Sequence, residues 1–187
     1  MIEKVEWKTL GEVLGYEQPG KYIVDSVVYN DSYKTPVLTA GQTFILGYTD
    51  EEEWIFRASK ENPVIIFDDF TTSFHWVDFD FKVKSSAMKM LRCNWSNNYY
   101  ELRFLYFVMK CIHYIPSDHS RHWISKYSQF KIPIPSLATQ QRIVTLLDKF
   151  DALVNDLTTG LPAELESRKK QYEHYRNQLL TFTPLKE

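Results

Sequence analysis

The hydrophobic positions of this 187-residue chain follow two rhythms, and the change falls near residue 136. From Tyr22 to Asn94, short β-branched and aromatic runs are cut by Gly, Pro, Asp and Asn, the pattern of strands joined by turns. The runs are KYIVDS (21–26), TPVLTA (35–40), TFILGYT (43–49), PVIIFDD (63–69), SFHWVDFDFKVK (73–84) and MKMLRC (88–93). Within the fifth, Val77, Phe79, Phe81 and Val83 share one face and Asp78, Asp80 and Lys82 the other. TAGQT (39–43) predicts a turn in which Gly41 supplies the permissive backbone. The opening VEWKTLGEVL (5–14) predicts a short edge helix or turn.

Helical spacing appears next. Asn97 or Asn98 is placed to cap a helix from Tyr99 to about His113, apolar nearly all round and therefore buried against the sheet. Residues 114–135 read as irregular, ending in an edge strand at FKIPIP, since proline is tolerated only at strand edges and ends. Ser136 then caps a helix in which Ile143, Leu147, Phe150, Val154 and Leu157 recur at alternating spacings of 4 and 3. Gly160 ends it and Pro162 sits in the first turn of another. Leu161, Leu165, Arg168, Tyr172, Tyr175, Leu179 and Phe182 continue the alternation as a coiled-coil seam of nearly three heptads. The predicted fold class is α+β, a β-rich domain with one buried helix over residues 1–135, then a helical region over 136–187.

Composition narrows the class. A 44% hydrophobic and 25% charged chain is an ordinary globular one, and 16% aromatics supply a core with some Tyr and Trp left for an interface. Cys93 and Cys111 form no CxxC pair, so neither a disulfide framework nor a thiolate zinc site is expected. No apolar run reaches the roughly 18–20 residues of a membrane span and no signal peptide precedes the strands, which predicts a cytoplasmic protein without membrane contact. The net charge of −2 hides an asymmetry. Residues 1–83 carry 7 Lys/Arg against 15 Asp/Glu, residues 84–131 carry 8 against 2, and residues 132–187 are balanced at 7 each. A basic segment in a mildly acidic chain is the footprint of a nucleic-acid face, or of a solvated face paired with the acidic first half.

Candidate chemistry is sparse. Asp69, Asp80 and Lys82 sit on neighbouring strand signals in the order that some metal-dependent endonucleases use, which makes a stand-alone nuclease the alternative function. The same residues fit an alternating solvent face. Asp118, His119 and His122 offer zinc-type donors, but Arg121 between them and the weak helix signal favour a polar loop. No GxSxG, Walker or dinucleotide glycine pattern occurs, so no catalytic residue, metal or cofactor is expected. A further alternative is an assembly module that uses only the coiled-coil seam.

The stretch KIPIPSLATQQRIVTLLDKFDALVNDL, followed by GLPAELESRKKQYEHYRNQLLTF, resembles the conserved region of specificity subunits of type I restriction-modification systems. The matching features are Ile132 to Pro135, then Gln140, Gln141, Ile143 and Leu147, then the Leu179–Leu180 pair. VEWKTLGEV, TPVLTAGQTFILGYT and IIFDDFTTSFHWVDFDFKVKSSAMKML resemble one class of target recognition domain in that family. The resemblance implies a non-catalytic subunit that recognises double-stranded DNA and assembles with methylation and restriction subunits. Typical members hold two recognition domains and two helical regions, whereas this chain has one of each. It therefore looks like a half-length form, either natural or cut, and such a form could restore the two-part architecture by pairing with a second copy.

The residues then expected at DNA are Lys84, Lys89, Arg121 and Lys126 on phosphates, with Thr72, Ser73, His75 and His122 reading bases. Leu161, Leu165, Tyr172, Tyr175, Leu179 and Phe182 are expected to form an antiparallel homodimer contact, and the helices from Ser136 onward to dock the methylation subunit.

Overall fold

The computed structural model describes residues 5–41, 43–94, 99–155 and 160–180. The chain divides into two compact units, Met1–Gln141 and Arg142–Glu187. The first unit opens with β1 (Glu6–Thr9), a single turn α1 (Leu10–Val13) and β2 (Leu14–Glu17). The opening segment thus becomes a strand before it becomes a turn. What decides this is a partner at the far end of the unit: β1 runs antiparallel to β9 (Lys131–Ile134), with Glu6 opposite Ile134 and Thr9 opposite Lys131.

Between them lie β3 (Thr35–Leu38), β4 (Ile45–Thr49), β5 (Val64–Asp68), β6 (Phe74–Val77), β7 (Lys82–Val83), β8 (Met88–Cys93), α2 (Leu102–Lys110) and α3 (His122–Ser125). One antiparallel sheet has the order β2-β8-β5-β6 and a second has β4-β3-β7, in which β3 and β7 are parallel. KYIVDS forms no strand. It gives a 3-10 turn at Gly20–Tyr22 and one bridge from Ile23 to Val83. The run SFHWVDFDFKVK is not one strand either, because its two halves serve different sheets. Asp80 accepts the Ala58 N–H and pairs with Arg57, while Phe81 exchanges two backbone hydrogen bonds with Phe56.

Strand β5 explains the core. Val64, Ile65, Ile66 and Phe67 are all fully buried, so both faces of this sheet are covered. Val64 and Ile66 join Val77, Met88 and Met90 against Leu38, Phe56, Phe81 and Val83. On the opposite face Phe67 packs on Trp123 and Tyr127, with ring centroids 5.1 and 4.9 Å apart. Phe74 and Trp76 meet Tyr106 of α2 on that side. The apolar helix expected after residue 98 is therefore present over Leu102–Lys110, with Phe104, Leu105, Tyr106, Phe107 and Met109 buried. Its first residue follows Glu101, which makes no side-chain cap; Asn97 and Asn98 lie outside the described residues.

The turn between β3 and β4 is closed by Thr39, whose N–H reaches the Phe44 carbonyl and whose hydroxyl reaches that of Thr43. Gly41 has no positive φ; among the described residues that conformation falls on Trp54 (φ 53°) and Thr72 (φ 58°).

Helix α4 (Leu137–Asn155) starts inside the first unit and continues into the second. Ser136 Oγ accepts the Thr139 N–H at 3.4 Å, the N-terminal contact its position predicts. Gln140 fixes that first turn. It is fully buried, accepts the Glu101 N–H at 3.0 Å, and donates to the carbonyls of Tyr99 and Pro135 at 3.0 and 2.9 Å. The Gln of the Gln-x-x-Ile motif is thus a clamp between the helix and the domain before it. Gln140→Ala removes three part-buried hydrogen bonds to the backbone of Tyr99, Glu101 and Pro135, each worth about 1 kcal/mol. A loss of roughly 3 kcal/mol is expected in urea unfolding, and a change under about 0.5 kcal/mol would remove the clamp.

The second unit contains the rest of α4 and α5 (Leu161–Leu180). On α5, Glu164 pairs with Arg168 and Glu166 with Lys170, an (i, i+4) arrangement typical of a solvent-facing helix.

Candidate nucleic-acid interface

The chemistry of the first unit is organised around one buried ion pair. Asp69 and Lys89 are each 1% exposed and lie 2.9 Å apart. Lys89 alternates with Met88 and Met90 on β8, and an alternating polar residue normally marks a solvent face. Here the polar face looks toward Phe67 and the helices, so Lys89 points inward. Its ammonium also lies 4.6 Å from the Tyr16 ring centroid. Lys89 is therefore corrected from a phosphate contact to a buried partner of Asp69.

Asp69 holds α3 as well. Its carboxylate accepts the Trp123 N–H at 2.7 Å and its carbonyl accepts the His122 N–H at 2.8 Å. His122 is fully buried and so cannot reach a groove. Its Nε2 faces the Asp118 carbonyl at 3.1 Å, which can only accept, so Nε2 carries the proton. Nδ1 is hydrogen-bonded with the Tyr114 hydroxyl at 2.9 Å. Thr72 is the third correction. It is buried, at positive φ, in the turn that Asp68 closes by accepting its N–H.

The remaining candidates are accessible to different degrees. Arg121 is half exposed, 4.0 Å from Asp69 and over the Phe70 ring. Lys126 is exposed and pairs with Asp118. Lys84 is half-buried and donates to the Tyr29 hydroxyl at 3.0 Å. Ser73 is half-buried, and half-buried His75 is committed to the Gly41 carbonyl at 2.9 Å and stacks on Phe44. Arg121 and Lys126 thus share one segment, while Lys84, Ser73 and His75 belong to others.

The sequence reading missed a second cationic surface. Arg103 lies 4.8–5.1 Å from the centroids of Trp76, Tyr106 and Phe107, and exposed Lys110 lies 4.7 Å from Tyr106. The spacing Arg103, Tyr106, Phe107, Lys110 puts all four on one side of α2, a signal that was hidden by treating the helix only as a buried element.

The nuclease residues are not brought together. Asp69 is held by Lys89, Asp80 by Arg57, and Lys82 by Glu51 at 2.5 Å. Among the described residues no group of three His, Cys, Asp or Glu side chains is placed to hold a metal ion. Of the zinc-type donors, both ring nitrogens of His122 are already engaged.

Asp118 organises the loop before α3. It accepts the Ser120 hydroxyl and N–H, and with Lys126 these lower its pKa to about 2, the hydroxyl contributing most. The folded value lies below the unfolded one of about 3.9. Its contribution to loop order is therefore full above about pH 4 and lost as pH falls through about 2. Ser120→Ala is expected to move Asp118 up toward the ordinary carboxylate range in a carboxyl NMR titration. An unmoved titration would show that Ser120 is not the cause.

In the second unit, Leu161, Leu165, Tyr172 and Tyr175 of the expected seam are 49%, 59%, 67% and 53% exposed. A groove of about 610 Å³ is lined by Val154, Leu161, Pro162, Glu164, Leu165 and Arg168. The Leu179 side chain and Phe182 lie outside the described residues.

With this geometry the chain matches known proteins over nearly its whole length. Residues 2–167 match the type I restriction modification DNA specificity domain, and the chain belongs to that family. It is 55% identical over 188 residues to the type I restriction enzyme EcoR124I/EcoR124II specificity subunit of Escherichia coli, covering 96% of this chain and 45% of that protein. It is 25% identical over 192 residues to the putative type I specificity subunit S.MpnORF89P of Mycoplasma pneumoniae, covering 96% and 53%. Among solved structures, the type I restriction-modification S subunit of M. genitalium superposes over 95% of this chain and 46% of its own, with a TM-score of 0.62 at 17% identity. The HsdS subunit of Thermoanaerobacter tengcongensis superposes over 84% and 40%, with a TM-score of 0.52 at 20% identity. The fold is shared with these structures, and the chain spans about half the length of the relatives it matches.

Proposed function

We propose that this chain is the DNA sequence-recognition subunit of a type I restriction-modification complex, giving target specificity to methylation and restriction subunits without a catalytic site of its own. The observation that carries the reading is the specificity-domain match across residues 2–167. The residues themselves support it: Arg121, Lys126 and Lys110 are cations at the surface of the first unit, and the would-be nuclease residues are spent on separate ion pairs. Residues 1–135 act as the recognition domain. The helices from Ser136 onward dock the methylation subunit and pair two copies of the chain through the apolar side chains of α4 and α5. Two copies related by a two-fold axis read an interrupted palindrome. The proposed site of action is the cytoplasm, where such a complex would meet DNA; no helix among the described residues is long and apolar enough to cross a membrane.

The test is binding of the purified chain to duplex DNA across a salt series. Arg121→Ala and Lys126→Ala are each expected to lower the slope of log K against log salt by about one unit. Unchanged slopes in both variants would place the phosphate contacts elsewhere. Failure to bind any duplex, even with the methylation subunit present, would favour a pure assembly module.

A further inference from the structure

We infer that the segment from Ile115 to Lys126 is the base-reading element of this chain, and that the buried Asp69–Lys89 pair is the device that aims it. The inference rests on the DNA-recognition reading above. The segment is a surface loop with an unusually ordered base. His122 closes its neck by bridging the Tyr114 hydroxyl and the Asp118 carbonyl, and Asp69 fixes its exit through the N–H groups of His122 and Trp123. Above this base, Ile115 is 88% exposed, and His119, Arg121 and Ile124 are also exposed. Its exposed side chains thus include Arg121, His119 and two isoleucines beside the Asp118–Lys126 pair, a combination that serves phosphates, base edges and thymine methyl groups.

Stability alone does not account for the ion pair. A buried pair is often no better than two well-packed apolar side chains of the same volume, because desolvation offsets the attraction. What the pair adds is directional. Lys89 comes from the middle of the sheet and Asp69 from the end of β5, so together they tie α3 to the sheet in one position. A loop ordered before binding loses less freedom when it meets its ligand, which matters most for contacts that must match base edges. Phosphate contacts tolerate displacement, because their attraction is long-ranged and carries no sequence information.

That difference sets the test. The full-length wild-type chain is first used to select its target from a pool of randomised duplexes. Affinity for the selected duplex and for a scrambled duplex is then measured for the wild type and for Asp69→Asn combined with Lys89→Met. The double variant removes both charges, so no lone buried ion remains. It is expected to bind the scrambled duplex within about twofold of wild type while its preference for the target falls at least tenfold. His119→Ala, an exposed change made in the wild-type background, is expected to lower the preference similarly and needs no repacking. A folded double variant that keeps its full preference would overturn the aiming role. A His119→Ala variant that keeps it, with Ile115→Ala also unaffected, would overturn the base-reading role. A wild-type chain that enriches no sequence would overturn the DNA reading itself, and this inference with it.

Discussion

Replacing Lys89 by alanine is expected to destabilise the fold by about 3–5 kcal/mol, the range for breaking a buried ion pair by removing one partner. The Asp69 carboxylate would remain 1% exposed with only the Trp123 N–H and, 4.0 Å away, the Arg121 guanidinium to meet its charge. That penalty is a large part of the 5–15 kcal/mol that stabilises a typical domain. Lys126→Ala serves as the contrast. Lys126 belongs to the same basic segment but is exposed, and its pairing with Asp118 at 3.5 Å is a solvent-screened surface contact that adds little to stability. Urea unfolding of both variants separates the two roles. Lys89→Ala should lower the midpoint sharply, and Lys126→Ala should leave it nearly unchanged while weakening DNA binding. A stable Lys89→Ala protein with weakened DNA binding would return Lys89 to the phosphate-contact role and contradict the structure.

The second large effect is expected in self-association. Leu161, Leu165, Tyr172 and Tyr175 each leave about half or more of their surface in water, and so do Leu146, Phe150, Leu153 and Val154 on α4. Completing the burial of a half-exposed large side chain contributes roughly 1 kcal/mol, half the value for full burial. The four positions on α5 then give about 8 kcal/mol per dimer, inside the range of about 4–15 kcal/mol that association costs. With the four positions on α4 the total approaches 16 kcal/mol, which exceeds that range. The dimer should therefore need both helices, not the α5 seam alone. Leu165→Asp combined with Tyr172→Asp is expected to give a folded monomer in sedimentation, and Phe150→Asp alone should weaken association measurably. Target binding should drop at least 100-fold in the double variant, because each monomer would hold only one half-site. A wild-type chain that stays monomeric at tens of micromolar would sink this account of the stripe.

Most of the architecture was legible where side-chain period and burial agree. The run at 63–69 gave β5, the apolar stretch after residue 98 gave α2, and the spacing after Ser136 gave α4 and α5. Non-local partners decided what was not legible. Nothing in VEWKT announces that it will pair with KIPI, and nothing in VDFDFKV shows that Phe81 will leave β6 to bridge Phe56. The candidate site suffered from one assumption, that a polar residue alternating with apolar ones faces water. On a sheet covered on both sides the rule fails, and Lys89 and Lys82 are both inside, each facing a carboxylate. His122 was misplaced for a related reason: a polar loop residue is as useful for closing the loop as for reading DNA. Arg121 and Lys126 lie in solvent, which leaves them available for the proposed DNA contact.

Methylome sequencing of cells that express this chain with its methylation subunit tests the central claim most directly. Methylation is expected at a single interrupted palindrome, two identical half-sites with a fixed spacer, and it should vanish when the chain is omitted. No site-specific methylation, or the same methylation without the chain, would contradict its role as the sequence-recognition subunit.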